Sequence, residues 1–253
     1  MYPKISIVTV CYNSEKTIRD TIESVLLQKY QNIEHIVVDG ASTDGTMDIV
    51  NEYEGRIAKI ISEPDAGIYD AMNKGIQMAT GNFVGILNSD DVFADNYTIA
   101  KLVNFFSLYP EIEGAYGDLI YVQRTNPEIT TRYFSSEKFS PWTIRFGLIF
   151  PHPTLYVKPE IFKKIGFYKL DYRVSADFEM MARMIKKGVV LGRNPQVMVK
   201  MREGGVSSTG FWWRIHQNFE IVRACKENGI YTNILLIMLK IPFKLATYLK
   251  KKY

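Results

Sequence analysis

Asn88-Ser89-Asp90-Asp91 stands between two apolar runs, Phe83-Val84-Gly85-Ile86-Leu87 before it and Val92-Phe93 after it. Adjacent carboxylates at the edge of a core are costly unless a cation stands close by. Hard oxygen donors at a strand end favour magnesium or manganese and can leave positions open for phosphate oxygens. The chemistry would be that of a nucleoside diphosphate held through a divalent metal, the cation acting as a Lewis acid on the departing group. A plainer reading is that Ser89 or Asp90 caps a short turn. Two further acids carry the same ambiguity. Asp39 ends another apolar run, where it could accept a hydrogen bond from a base N–H or cap the turn before Gly40. Asp177 precedes the helical spacing Met181, Ala182 and Ile185, so it is either a carboxylate base or a first-turn charge facing the helix dipole. His152, held between Pro151 and Pro153, either faces a bound hydroxyl or satisfies loop backbone.

The elements that must position these groups alternate. Residues 5–10 (ISIVTV), 34–39 (EHIVVD), 57–62 (IAKIIS) and 83–87 (FVGIL) read as buried strands. Between them Ile18, Ile22, Val25 and Leu26 recur at helical spacing up to Lys29, behind the capping residues Asn13-Ser14. Residues 46–53 give a short helix, and Ile68, Ala71, Met72, Gly75, Ile76 and Ala79 form one face of the next. Ile99, Leu102, Val103 and Phe106 mark another. Alternation through residues 1–108 predicts a doubly wound, parallel-dominated α/β sheet, in which ligands bind at the carboxyl ends of the strands. The polar loops after strands one, two and four should therefore share one edge. Residues 109–209 are mixed, with strands near 114–122 and 188–200 and a helix over 177–187. A long helix follows, with Trp212, Ile215, Phe219 and Val222 on one face.

Composition narrows the classes. Of 253 residues, 47% are hydrophobic and 23% charged, as in ordinary globular proteins. Two distant cysteines, Cys11 and Cys225, make a disulfide framework unlikely and fit a reducing compartment. The opening MYPKISIVTV lacks the longer apolar region and cleavage site of a signal peptide. The net charge of +4 belongs to the tail: Lys240, Lys244, Lys250, Lys251 and Lys252 exceed it, leaving −1 on residues 1–227. A nucleic-acid-binding face on the main body is thereby disfavoured. A dinucleotide fold needs its glycine-rich turn after strand one, where this chain has TVCYNSEK, so the NAD reading fails. No Walker A motif is present.

Three segments in order, SIVTVCYNSEKTIRDTIESVLLQ, HIVVDGASTDGT and GIYDAMNKGIQMATGNFVGILNSDD, resemble the nucleotide-binding half of family 2 glycosyltransferases with the GT-A fold. PHPTLYVKPEIFKKIGFYKLDYRVSADFEMMARMIKKG extends the resemblance to bacterial members that build surface polysaccharides, across nearly all of residues 4–208. The resemblance implies a GT-A domain over 1–209, with a nucleotide-sugar half at 1–108 and an acceptor half at 109–209, then a C-terminal helical segment at 210–253. It implies inverting transfer of a sugar from a nucleoside-diphosphate sugar, UDP-sugar by default with GDP and dTDP open, to a hydroxyl of a glycan or lipid-linked acceptor. Asp39 matches the base-contacting acid, with Thr9, Tyr12, Asn13, Asp44, Asp65 and Asn73 around the nucleotide. Asp90 and Asp91 match the acidic motif that touches ribose and a magnesium- or manganese-bound diphosphate. Asp177 matches the catalytic base, His152 an acceptor-side histidine, and Gly204-Gly205-Val206-Ser207 a loop near the diphosphate. Two departures stand out: Asn88 replaces the Asp that commonly opens the acidic motif, and Ala176 replaces a Glu often found before the base.

Ile234 to Leu239, Ile241 and Phe243 are interrupted by Lys240, Pro242 and Lys244, too short an apolar run to span a bilayer. A basic amphipathic segment over 232–253 lying on an anionic, cytoplasmic membrane face is the expectation, with packing on the body or on a second copy in a homodimer as the alternative. Rival functions are a nucleotidyltransferase, which would need a basic glycine loop after strand one, and a silent nucleotide-sugar-binding scaffold, for which Asn88 is the only support.

Overall fold

A computed structural model of the chain describes residues 2–204 and 211–240; the side chains of Phe211, Trp212 and Arg214 are not described. Gly205 to Ser207 and residues 241–253 of the expected membrane-contacting tail lie outside the described residues. In chain order the elements are β1 (Ile5–Cys11), α1 (Ile18–Leu26), β2 (Ile33–Asp39), α2 (Thr46–Asn51), β3 (Lys59–Ser62) and α3 (Ile68–Met78). Then come β4 (Phe83–Ile86), β5 (Val92–Phe93), α4 (Thr98–Leu108), β6 (Gly114–Val122), β7 (Thr130–Phe134) and β8 (Tyr156–Val157). The chain continues through α5 (Pro159–Ile165), α6 (Ala176–Lys186), β9 (Leu191–Arg202), α7 (Phe211–Glu227) and α8 (Ile234–Met238).

These strands make one sheet in the order β3-β2-β1-β4-β8-β6-β9-β5, with β7 added beside β6. The first four pair in parallel, with Ile5 opposite both Ile33 and Phe83. Every residue of β1 is buried, as expected of a central strand covered on both faces. Side chains alternate: Val8 and Val10 join a core under α3, α6 and α7, whereas Ile5 and Ile7 face the core under α4. In the second half β8 runs antiparallel to both β4 and β6, and β6 is parallel to β9. The expected mixed α/β architecture is what forms.

Gly85 lies opposite Tyr156 across the β4–β8 junction, and a Cβ there would meet the tyrosine ring at 2.5 Å. Tyr156 is fully buried and has nowhere to move. Gly85→Ala should therefore cost about 1–3 kcal/mol through overpacking. A thermal melt should show a fall of roughly 2–4 °C for each kcal/mol.

Element boundaries differ from expectation where a turn intervenes. β9 begins at Leu191 rather than 188, because Gly188 adopts φ +75° to close α6. α2 stops at Asn51, and α1 at Leu26. The larger correction concerns α7. Its expected apolar stripe meets the core only in part: Val222 packs on it and Ile215 is half-buried, but Phe219 is 59% exposed, while Glu220, Ile221, Ala224 and Cys225 are buried. Ile221, Ala224, Cys225 and Ile237 share one core cluster with Ala176, Met180 and Val8. Among the described residues, α7 and α8 thus pack on the body through these side chains. Both cysteines are free and buried.

Candidate functional site

The loops at the carboxyl ends of β1, β2 and β4 do converge. Asn13 N donates to Ser42 Oγ at 2.8 Å, and Asn13 Oδ1 accepts from Thr43 N at 2.9 Å. Ser14 Oγ lies 2.8 Å from Ser89 Oγ, tying the first loop to the acidic one. Asn13 (φ +48°) and Ala41 (φ +60°) both hold left-handed backbone, a cost that only the surrounding bonds sustain. Asp44 braces the same junction: its Oδ1 accepts from Thr46 N at 3.0 Å and its Oδ2 from Glu15 N at 3.2 Å. Gly40 lets Asp65 approach closely: a Cβ there would come within 2.5 Å of Asp65 Oδ2, and the carboxylate would have to swing aside. Asp65 in turn accepts from Gly67 N through Oδ1 at 2.8 Å. Tyr12 stands 62% exposed beside this notch, its ring 3.5 Å from the Gly40 Cβ position.

Three of the expected nucleotide-site residues are buried and already hold bonds within the chain. Asp39 is fully buried, and its carboxylate accepts from Ser42 N at 3.0 Å and Ser62 Oγ at 2.7 Å. It does the work of a turn cap. Thr9 is also fully buried, its hydroxyl 3.0 Å from Nε2 of His35; burial lowers the His35 pKa to about 4. Asn73 is committed to backbone: its Nδ2 donates to Tyr168 O at 2.9 Å, and its Oδ1 accepts from Tyr168 N at 2.9 Å.

The acidic loop is the most highly charged part of the edge. Asp91 is fully buried, and burial followed by the neighbouring Asp90 charge pushes its carboxyl well above the usual range. Asp90 is raised too, chiefly by burial. Asn88 Nδ2 donates to Asp91 Oδ2 at 3.3 Å, so the departure at position 88 exchanges a repelling charge for a weak donor. A cation is present: Arg202, at the end of β9. Its guanidinium, however, donates to the backbone oxygen of Asp90 at 2.9 Å and pairs with Asp20. Asp91 Oδ1 and Asn88 Oδ1 remain buried acceptors with nothing to accept from. Hard oxygens left in this way fit a divalent cation. Among the described residues no three His, Cys, Asp or Glu side chains gather as a metal cluster, so the protein would supply only part of a coordination shell.

Asp177 lies in the first turn of α6. Its Oδ1 accepts from Phe178 N at 2.7 Å and lies 3.4 Å from Tyr69 Oη. Tyr69 gives its one hydroxyl proton to Val174 O at 2.6 Å, and its ring stacks on Tyr168 at 5.9 Å. Tyr168 Oη lies 2.7 Å from Nε2 of His152. His152 is buried in this cluster; burial lowers its pKa, against an opposing pull from the Asp177 charge. Burial raises both tyrosines, which therefore act as neutral hydroxyls. Tyr69 and Tyr168 were not singled out in the sequence. Tyr69 and Asn73 are spaced i, i+4 on an otherwise apolar helix face, the signal that would have marked a pair reaching across to the second half.

Here the comparisons with known proteins bear on the site. The family model for glycosyl transferase family 2 matches residues 6–170. An uncharacterized glycosyltransferase of Mycobacterium tuberculosis, Rv1514c, is 33% identical over 186 residues, covering 72% of this chain and 68% of that protein. Among solved structures, Staphylococcus aureus TarS 1–349 in complex with UDP superposes with a TM-score of 0.67 at 17% identity, over 89% of this chain. This chain spans 65% of the length of that TarS chain. The mannosyltransferase PcManGT from Pyrobaculum calidifontis, in complex with GDP-Man and Mn2+, gives a TM-score of 0.68 at 21% identity, over 98% of this chain and 74% of its own. The fold is that of the GT-A architecture. The chain belongs to glycosyl transferase family 2 and is a glycosyltransferase.

Proposed function

We propose that this glycosyltransferase is inverting and metal-dependent, moving a sugar from a nucleoside-diphosphate sugar to a hydroxyl of a glycan or lipid-linked acceptor. UDP-sugar is the leading donor, and bacterial surface polysaccharide synthesis the leading setting. The observation that carries the reading is the pairing of two carboxylate sites with opposite characters. One, Asp90-Asp91, holds the fully buried Asp91 with an orphaned oxygen; the other, Asp177, is half-buried and held by one oxygen only.

At the donor edge Tyr12 offers an exposed ring for a base, and Asn13, Asp44 and Asp65 shape the notch beside it. Asp39 and Thr9 act from beneath, Asp39 by fixing Ser42 and Ser62. Asp90 and Asp91 would hold a magnesium or manganese ion, which when bound supplies charge neutralisation for the departing diphosphate. At the acceptor edge the hydroxyl oxygen forms a bond to the anomeric carbon as the bond from that carbon to the diphosphate oxygen breaks. The hydroxyl proton passes to Asp177 Oδ2, and the electron pair leaves with the nucleoside diphosphate. His152, neutral and fixed by Tyr168, lines this side. Two relatives by fold support the donor class: TarS was solved with UDP, and PcManGT with GDP-Man and Mn2+.

The C-terminal region supports a membrane-facing placement at the cytoplasmic side through residues 232–253. Leu235 is 71% exposed, and Met238 and Leu239 are exposed beside it. Among the described residues no helix is long and apolar enough to cross a membrane.

Thermal melts against UDP, GDP, dTDP and NAD, each with and without manganese, test the donor reading. One nucleoside diphosphate should raise the midpoint in a manganese-dependent way, about 2.7 kcal/mol of stabilisation at a hundred times Kd, and NAD should do nothing. A flat response to every nucleoside diphosphate would favour the silent scaffold.

A further inference from the structure

The segment leading into α6 is gripped by a residue far from it in sequence. Ser175, the N-cap of α6, makes no side-chain capping bond, and its Oγ is buried without a partner. The capping carboxylate comes instead from Glu220 on α7. Glu220 Oε1 accepts from Arg173 N at 2.7 Å. Its Oε2 accepts from Val174 N at 2.9 Å and from Ser175 N at 2.8 Å. Nε2 of His216, one turn earlier on α7, lies 3.2 Å from Oε1. Three consecutive N–H groups aimed at one anion form a nest, here filled by the chain's own side chain. Bonds to an ionised acceptor are the strong ones.

This arrangement explains the orientation of α7. A buried carboxylate needs partners, and turning Glu220 inward to reach residues 173–175 carries Ile221, Ala224 and Cys225 into the core and leaves Phe219 outside. The gripped segment is held from its other side as well, since Val174 O accepts from Tyr69 Oη. Two residues beyond it stands Asp177. α3 thus fixes the carbonyl side of the segment and α7 the amide side.

We propose that Glu220 is a positioning residue for sugar transfer: by holding residues 173–175 it sets the angle at which Asp177 Oδ2 meets the acceptor hydroxyl. The proposal rests on the reading of Asp177 as the base. It makes α7, which the sequence places after the catalytic domain, a working part of that domain.

The test is Glu220→Gln, which keeps size and one acceptor oxygen but turns an NH2 group toward backbone donors. Turnover is read as nucleoside-diphosphate release from UDP-glucose, UDP-N-acetylglucosamine, GDP-mannose and dTDP-glucose. kcat should fall by on the order of 10²-fold, the cost of a misplacement of about 1 Å. Donor KM and nucleoside-diphosphate binding should not change, and Glu220→Asp should recover part of the loss. Hydrogen exchange of the unaltered protein is the second measurement, with the amides of residues 173–175 slow. A folded Glu220→Gln protein with wild-type kcat overturns the proposal, and so do fast-exchanging 173–175 amides in the unaltered protein. Asp177→Asn, run alongside, separates the two ideas. If it retains full turnover the base assignment fails; if it is inactive while Glu220→Gln is fully active, only the grip fails.

Discussion

Asp177→Asn should bind nucleoside diphosphate as the wild type does and lose transfer by ~10²–10⁴-fold, the usual worth of a positioned proton acceptor. The substitution is nearly isosteric, and an amide oxygen can still accept from Phe178 N, so the turn persists, as does the bond from Tyr69 on α3 to Val174 O. What disappears is the basic oxygen opposite the Phe178 bond. Nucleoside-diphosphate release and a thermal melt with the matching nucleotide, made on the same preparation, give both readouts. Undiminished turnover would remove Asp177 as the base and leave it the ordinary helix-dipole charge. Loss of nucleotide binding would place it in the donor site instead.

The second large effect has two opposite signs in one protein. Asp91→Asn should raise the melting temperature of the ligand-free protein and abolish the manganese-dependent response to nucleotide. The free protein carries a fully buried carboxylate beside a second acid, with Oδ1 unpartnered, while Arg202 pairs with Asp20 and donates to backbone and its Nε is left without a partner. Removing that charge relieves a burial penalty, and each kcal/mol recovered appears as roughly 2–4 °C for a chain of this size. The same charge is what a divalent cation would bind. Melts with and without manganese and the responding nucleoside diphosphate read both halves at once. A lower melting temperature without ligand would mean that Arg202 already compensates Asp91; a retained manganese response would assign the metal to Asp90 alone.

The first half of the fold was legible because its strands and helices are local and periodic: the apolar runs at 5–10, 34–39 and 83–87 became β1, β2 and β4 almost residue for residue. The convergence of Tyr12-Asn13, Asp39 to Asp44 and the acidic loop followed from parallel topology alone. What spacing could not reveal was the direction in which individual polar side chains point. Asp39, Thr9 and Asn73 lie at the right places on the edge, yet their polar atoms are consumed by Ser42 and Ser62, by His35, and by the backbone of Tyr168. α7 is a related case. Spacing put Trp212, Ile215, Phe219 and Val222 on one face, whereas Glu220, which satisfies three backbone N–H groups, turns inward and leaves Phe219 outside. Such long-range polar debts, like the Arg202 reach to Asp90 O, leave no local trace in a sequence.

That reach also orders events in the making of the protein. β5, immediately after the acidic loop, pairs with β9, and Arg202 at the end of β9 closes on Asp90 and Asp20. A chain emerging from the ribosome can assemble β1 to β4 early, from neighbours close in sequence. Its acidic loop must then wait until residue 202 has been synthesised, about 6–22 seconds later at ~5–20 residues per second. Contacts of such sequence separation are also the slow ones to form. The donor edge is accordingly finished after the sheet beneath it, so the nascent chain passes through an interval in which it has that sheet but no working site.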